Sequence, residues 1–156
     1  MKREFYVICD NIRSLENIGS IFRTSDALGV TKIYLCGISG KMPAWDVGIH
    51  KKISKTALGA EKTVAFEYYK NIGRLIDKLK KAKIQVVALE QDEKAIDYRK
   101  LKPKFPCALI VGNEVKGISK NTLKKCNKII YLPMSGQKES LNVSVAFGVA
   151  GYNIIK

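Results

Sequence analysis

The sequence predicts an α/β protein, a mainly parallel sheet with helices on both faces. Three observations predict it. Strand-like and helix-like segments alternate along the 156 residues. The strand-like ones are short, apolar and β-branched, as strands covered on both faces are. The helix-like ones carry apolar residues three and four positions apart. Hydrophobic residues make up 46% of the chain, and the length suits one domain with a sizeable core, expected over residues 1–156.

The elements follow in order. Phe5–Cys9 reads as a buried strand. Asn17–Leu28 has Ile18, Ile21, Phe22, Ser25 and Leu28 at helical spacing and is closed by Gly29. Lys32–Cys36 is a second strand, Lys51–Leu58 a short helix and Thr63–Phe66 a third strand. Asn71–Ala82 puts Ile72, Leu75, Ile76 and Leu79 on one helix face and lysines on the other. Ile84–Leu89 and Cys107–Val111 are apolar strands, Ser119 caps a short helix to Lys125, Lys128–Leu132 is the last strand and Leu141–Ile155 the last helix. Gly37–His50, Glu90–Pro106 and Pro133–Ser140 remain irregular, and loops of that length in a compact domain are usually functional.

Charge narrows the partners. Lysine and arginine total 28 against 14 acidic residues, a net +14. Such an excess points to a polyanion, with nucleic acid ahead of a merely lysine-decorated surface. A membrane surface would need a long basic amphipathic helix, which the sequence lacks. No apolar run spans a bilayer, and Met1–Phe5 leads straight into a strand with no room for a signal peptide. Cys9, Cys36, Cys107 and Cys126 form no C-x-x-C pair and read as reduced core thiols of a cytoplasmic protein. His50 is the only histidine, so neither a histidine metal site nor a Ser-His-Asp triad is expected.

Common nucleotide signatures are missing. No G-x-G-x-x-G follows the first strand, and Gly112–Ser119 has P-loop glycine spacing but Ile118 where that loop needs lysine. Three other stretches carry the chemistry. Asn17-Ile18-Gly19-Ser20-Ile21-Phe22-Arg23-Thr24 opens the first helix; taken singly, Asn17 reads as a helix cap beside the small Gly19 and Arg23 as a surface arginine. Leu109–Ser119 sets Glu114 between two glycines after a buried strand, near a helix start or facing a ligand. Leu132–Ala146 is a polar, glycine-containing connection that delivers Ser140 and Asn142 to a helix N-terminus, where free N–H groups meet ligands.

In order and content these stretches resemble the three motifs of the SpoU (TrmH-like) group of SPOUT RNA methyltransferases, from Asn17 to the chain end. The resemblance implies a C-terminal deep trefoil knot whose loops bind S-adenosylmethionine (SAM), a homodimer, and methyl transfer to a ribose 2′-OH of tRNA or rRNA without a metal. It assigns Leu89, Gly112, Leu132, Met134, Ser140 and Leu141 to the cofactor, Arg23 to catalysis, and Asn17, Glu114 and Asn142 to arranging arginine and ribose. The chain shows no RNA-binding extension of the kind many such proteins carry, so substrate grip is expected from Arg13, Lys41, Lys51, Lys52, Lys55 and Lys116. Trp45, Tyr68 and Tyr69 are either base-stacking or packing aromatics. Two other readings stay open: a knotted RNA-binding protein without catalysis, and an unrelated basic nucleotide-binding protein.

Overall fold

The computed structural model describes residues 3–39 and 46–156. Its strands are β1 (Phe5–Asp10), β2 (Lys32–Cys36), β3 (Phe66–Tyr69), β4 (Gln85–Leu89), β5 (Ile96–Asp97), β6 (Cys107–Gly112) and β7 (Lys128–Tyr131). They form one sheet in the order β3-β2-β1-β6-β4-β7-β5, and every neighbouring pair is parallel. In the middle of the sheet Val7 lies level with Ile33 on one side and Leu109 on the other. Parallel pairing sends all carboxyl ends to one edge of the sheet, where the motif loops emerge.

The helices are α1 (Leu15–Leu28), α2 (Val47–Ala57), α3 (Ala60–Thr63), α4 (Ile72–Lys81), α5 (Lys120–Lys125) and α6 (Val143–Ile155). The two-residue strand period divides the core between the sheet's faces. Phe5, Val7, Cys9, Leu109 and Val111 join Ile18, Phe22, Ile53 and Phe147 from the α1, α2 and α6 side. Ile8, Val86, Ala88 and Ile110 join Leu75, Ile76, Leu79 and Leu123 from the α4 and α5 side. Phe22 and Phe66 meet edge to face, centroids 5.2 Å apart.

Several boundaries differ from the sequence reading. The third strand is Phe66–Tyr69, and Thr63 ends α3 instead. Leu58 (φ 51°) and Gly59 (φ 95°) break α2 with left-handed residues, and the helical turn that follows uses up Ala60–Thr63. The first helix begins at Leu15 because Ser14 is its cap, its hydroxyl accepting from the Asn17 N–H; Asn17 is therefore inside the first turn. The second begins at Val47, capped by Asp46. The Glu90–Pro106 stretch contains β5 and a 3-10 turn at Tyr98–Lys100, and α6 begins at Val143 rather than Leu141. The fragments missed are one or two turns long, too short to show a period.

Gly19 has a packing role. A Cβ there would overlap the Thr56 hydroxyl and the Ile53 carbonyl, so its absence lets α1 and α2 cross closely. The Thr56 hydroxyl uses that proximity to donate to the Glu16 carbonyl at 2.9 Å. Gly19→Ala should lower stability by about 1–3 kcal/mol through overpacking, against about 1 kcal/mol of better helix propensity. Chemical denaturation at fixed pH checks this; a midpoint at or above wild type would contradict the close crossing.

Candidate functional site

A cavity of about 510 Å³ lies at the carboxyl ends of β4, β6 and β7. This is within the range of small-ligand sites, at the edge where open parallel sheets bind ligands. Leu89, Gly112, Leu132, Met134, Ser140 and Leu141 all line it, as do Glu114, Lys116 and Asn142. Residues far apart in the chain share this wall because three successive strand ends release their loops into the same space.

The loops are held by polar side chains more than by apolar packing. The Glu90 carboxylate accepts from the Ile118 N–H at 2.8 Å and from the Gln91 N–H at 2.9 Å. Gly117, at φ 66°, makes this possible, since a Cβ there would overlap the carboxylate. Gln91 Nε2 donates to the Leu132 carbonyl at 3.0 Å, joining the loop after β4 to the loop after β7. Asn113 Oδ1 accepts from the Val115 and Lys116 N–H groups, and the Gly117 N–H donates to the Asn113 carbonyl, closing the turn between the glycines. Glu90 and Gln91 were not among the sequence candidates. The signal for them is position, directly after a buried parallel strand whose last residue, Leu89, was chosen.

Glu114 does not face the ligand space freely. Its carboxylate accepts from the Arg13 N–H at 3.1 and 3.2 Å and from the Ser14 N–H at 3.4 Å, holding the head of α1. A carboxylate is favourable there because helix starts carry unpaired N–H groups and a positive dipole end. Asn142 caps α6, its Oδ1 accepting from Ser144 and Val145, while its Nδ2 donates to Asn17 Oδ1 at 3.1 Å. Asn17, Glu114, Asn142 and the Arg13 backbone thus gather at the cavity rim, where the heads of α1 and α6 meet.

Arg23 is elsewhere. It is exposed on α1 and lines a separate cavity of about 530 Å³ with Ser20, Thr24, Lys55, Thr56 and Tyr152. The structure therefore brings Arg23 to Lys55 and the exposed side of α6, and does not bring it to the cavity at the strand ends. Lys51 and Lys52 are exposed on α2, and Arg13 and Lys116 are exposed on the motif loops. Lys41 and Trp45 lie outside the described residues. Tyr68 and Tyr69 are half-buried in β3, with Lys78 Nζ 5.7 Å from the Tyr69 ring centroid. Among the described residues no three His, Cys, Asp or Glu side chains come together as a metal site.

Burial sets the ionisation of the interior groups. The thiols of Cys36, Cys107 and Cys126 are pushed up to about 12 by desolvation, and that of Cys9 higher still, so all four are protonated at neutral pH. Asp10 ends β1 beside Cys36 and Gly112, is 6% exposed, and has its carboxyl raised to about 6 by burial. A folded-state value above the unfolded one means that the fold holds a proton which the unfolded chain releases first. Stability should therefore fall as pH rises from about 4 to 6. Asp10→Asn is expected to abolish that fall and to be more stable above pH 6 by about 2–3 kcal/mol. Thermal unfolding of both proteins across this window checks the sign; a wild-type curve that rises would refute it.

A doubly covered parallel sheet with a ligand-sized cavity at its carboxyl edge defines an α/β ligand-binding protein. Comparison with known proteins narrows the class. The SpoU rRNA Methylase family model matches residues 4–152, and the chain belongs to that family. It is 32% identical over 155 residues to the TrmH family protein YacO of Bacillus subtilis, covering 99% of this chain and 59% of that protein. It is 32% identical over 151 residues to the tRNA (guanosine(18)-2′-O)-methyltransferase of Aquifex aeolicus, covering 97% of this chain and 68% of that one. Among solved structures it resembles the AdoMet-bound rRNA methyltransferase from Sinorhizobium meliloti, with a TM-score of 0.83 and 25% identity over 97% of this chain and 56% of the other. The chain thus spans a little over half to two thirds of these relatives.

Proposed function

We propose that this protein is a SAM-dependent RNA methyltransferase acting on a ribose 2′-OH of tRNA or rRNA. The observation that carries the reading is the convergence of the second and third motifs on one 510 Å³ cavity, in a chain that belongs to the family over residues 4–152. The lining suits the cofactor. Leu89, Leu132, Met134, Leu141 and Ala146 offer apolar walls to an adenine, and Glu90, Gln91 and Glu139 offer polar groups to its ribose and amino-acid ends. When bound, SAM supplies a methyl group already activated on a sulfonium.

The chain's own residues then bind and orient, and the ribose 2′-OH releases its proton to water as its oxygen takes the methyl group. Leu89, Gly112, Leu132, Met134, Ser140 and Leu141 hold the cofactor. Asn142 and Asn17, joined by a hydrogen bond, and Glu114, tied to the Arg13 backbone, hold the rim rigid where the ribose arrives. Holding reactants in line is worth several orders of magnitude in rate. Arg23 acts on the substrate side; its guanidinium, with a pKa above about 12, stays charged and serves best as a clamp on ribose and phosphate.

Arg23 and the cofactor cavity are apart in one chain, so a homodimer is part of the proposal. Leu141, just before α6, and Val145, Val149 and Tyr152 on it make an exposed apolar stripe beside both cavities, and a second copy is its natural cover. The C-terminal trefoil knot belongs here too. Support for it comes from Gln91 bonding Leu132, β5 pairing with β7, and Asn153 Nδ2 donating to the Tyr98 carbonyl, so that the 90–106 segment holds the C-terminal stretch on both sides. We read residues 1–156 as one methyltransferase domain, working in the cytoplasm. Among the described residues, no helix is long and apolar enough to cross a membrane.

Titration calorimetry should show SAM binding with no added metal; no binding by the folded protein would sink the assignment. Arg23→Ala should abolish methyl transfer with little change in SAM affinity, and Arg23→Lys should be nearly inactive because it loses the planar fork. Near-normal turnover of Arg23→Ala on RNA mapped for 2′-O-methylation would remove Arg23 from the reaction. Light scattering at micromolar concentration should give a dimer mass.

A further inference from the structure

Much of the charge excess falls in two stretches of the chain. Residues 70–83 hold six basic side chains and one acid, and residues 116–128 hold five basic side chains and no acid. These 27 positions carry a net +10 of the chain's +14. They surround α4 and α5, which pack against each other on the same sheet face, opposite α1, α2 and α6. The lysines Lys51, Lys52 and Lys55 are on the other face.

The arrangement is a continuous stripe. Leu75, Ile76 and Leu79 turn into the core, leaving Arg74, Lys78 and Lys81 exposed along the outer face of α4 at spacings of four and three. Lys120 and Lys124 are exposed four apart on α5, and Lys120 also lines the cofactor cavity. The one acid, Asp77, is taken by Lys125 Nζ at 2.9 Å. What is left unneutralised consists of like charges at neighbouring helical positions, an arrangement that weakens helices where solvated faces usually mix signs. A bound polyanion relieves that repulsion.

We propose that the α4–α5 face is an RNA-binding surface, across which phosphates of the substrate run past Lys120 to the cavity. The proposal rests on the RNA methyltransferase reading for its choice of polyanion. A membrane fits poorly, because none of the exposed large apolar side chains among the described residues lies on α4 or α5 to enter lipid. An acidic protein partner would also want apolar anchors, which the face does not offer.

The test is a Lys78→Gln/Lys81→Gln/Lys124→Gln variant of the whole chain, which spares the cavity residues. Binding of a fluorescent in-vitro-transcribed tRNA is measured across a salt series, with SAM affinity by calorimetry and thermal midpoint as controls. RNA affinity should fall roughly tenfold or more at low salt, and the slope of log K against log salt should shrink by about two to three. SAM affinity should stay at wild type, and the midpoint should hold or rise as like-charge repulsion is relieved. A folded variant with wild-type RNA affinity and slope overturns the surface, as does a variant that loses binding only to vesicles of anionic lipid. Methyl transfer by the unsubstituted protein tests the underlying reading separately. If transfer is absent while RNA binding still depends on these lysines, the surface stands and the activity falls; if the unsubstituted protein binds no RNA, both fall.

Discussion

The backbone groups of three loops at the carboxyl edge of the sheet have to be satisfied without secondary structure, and the rest of the site depends on how that is done. A parallel sheet delivers Leu89, Gly112 and Tyr131 to one edge but says nothing about the chain beyond them. Glu90, Gln91 and Asn113 supply the missing partners, each bonding backbone in the loops. Glycine at 117 is the steric condition for the Glu90 contact. Because these bonds join loops from different strands, the cavity wall is one connected object. Loss of the Glu90–Ile118 or the Gln91–Leu132 bond would leave a partly buried N–H or carbonyl unpaired, which costs more than the bond itself is worth.

The same economy operates at the rim. Glu114 and Asn142 satisfy the starts of α1 and α6, and both also line the cavity. A side chain that stabilises the fold and faces the ligand cannot be varied freely, since each substitution changes both. Arg23 has no such structural duty: it is exposed two turns along α1, with Lys55 as its charged neighbour across a shallow cleft. Among the described residues neither cation of this cleft has an ion pair, and hydroxyls of Ser20, Thr24 and Thr56 lie beside them, a lining that suits an anion.

Electrostatics and apolar exposure divide the surface into complementary regions. Helices α4 and α5 carry positive charge and, among the described residues, no large exposed apolar side chain lies on them; α6 exposes Val145, Val149 and Tyr152. A chain at net +14 repels its own copies at long range, so self-association has to occur where charge is low and apolar area is high. The apolar stripe on α6 meets that condition. The charged face stays open for a polyanion.

Much of this was legible in the sequence, and what was not has a common cause. Alternation of apolar runs with helical periods fixed the α/β class and placed most elements to within a few residues, because burial on both faces imposes composition directly on each strand. The residues that the family resemblance assigned to the cofactor line the cavity, which lies where strand ends and helix starts meet. What needed the tertiary structure was everything set by neighbours distant in the chain. Thr63–Phe66 read as a strand until the left-handed pair Leu58–Gly59 was seen to start another helical turn. Glu114 looked like a ligand acceptor, but its partners are 100 and 101 residues away. Arg23 could be assigned to catalysis by its motif but not to its cleft, because helix packing decides which way an exposed side chain faces. Summed along the chain, 28 basic residues gave only a net charge; the packing of α4 beside α5 brought the seven basic residues of these helices, against one acid, to one side of the sheet. Local patterns follow from burial and backbone preference, whereas surfaces and clefts arise only when distant segments meet.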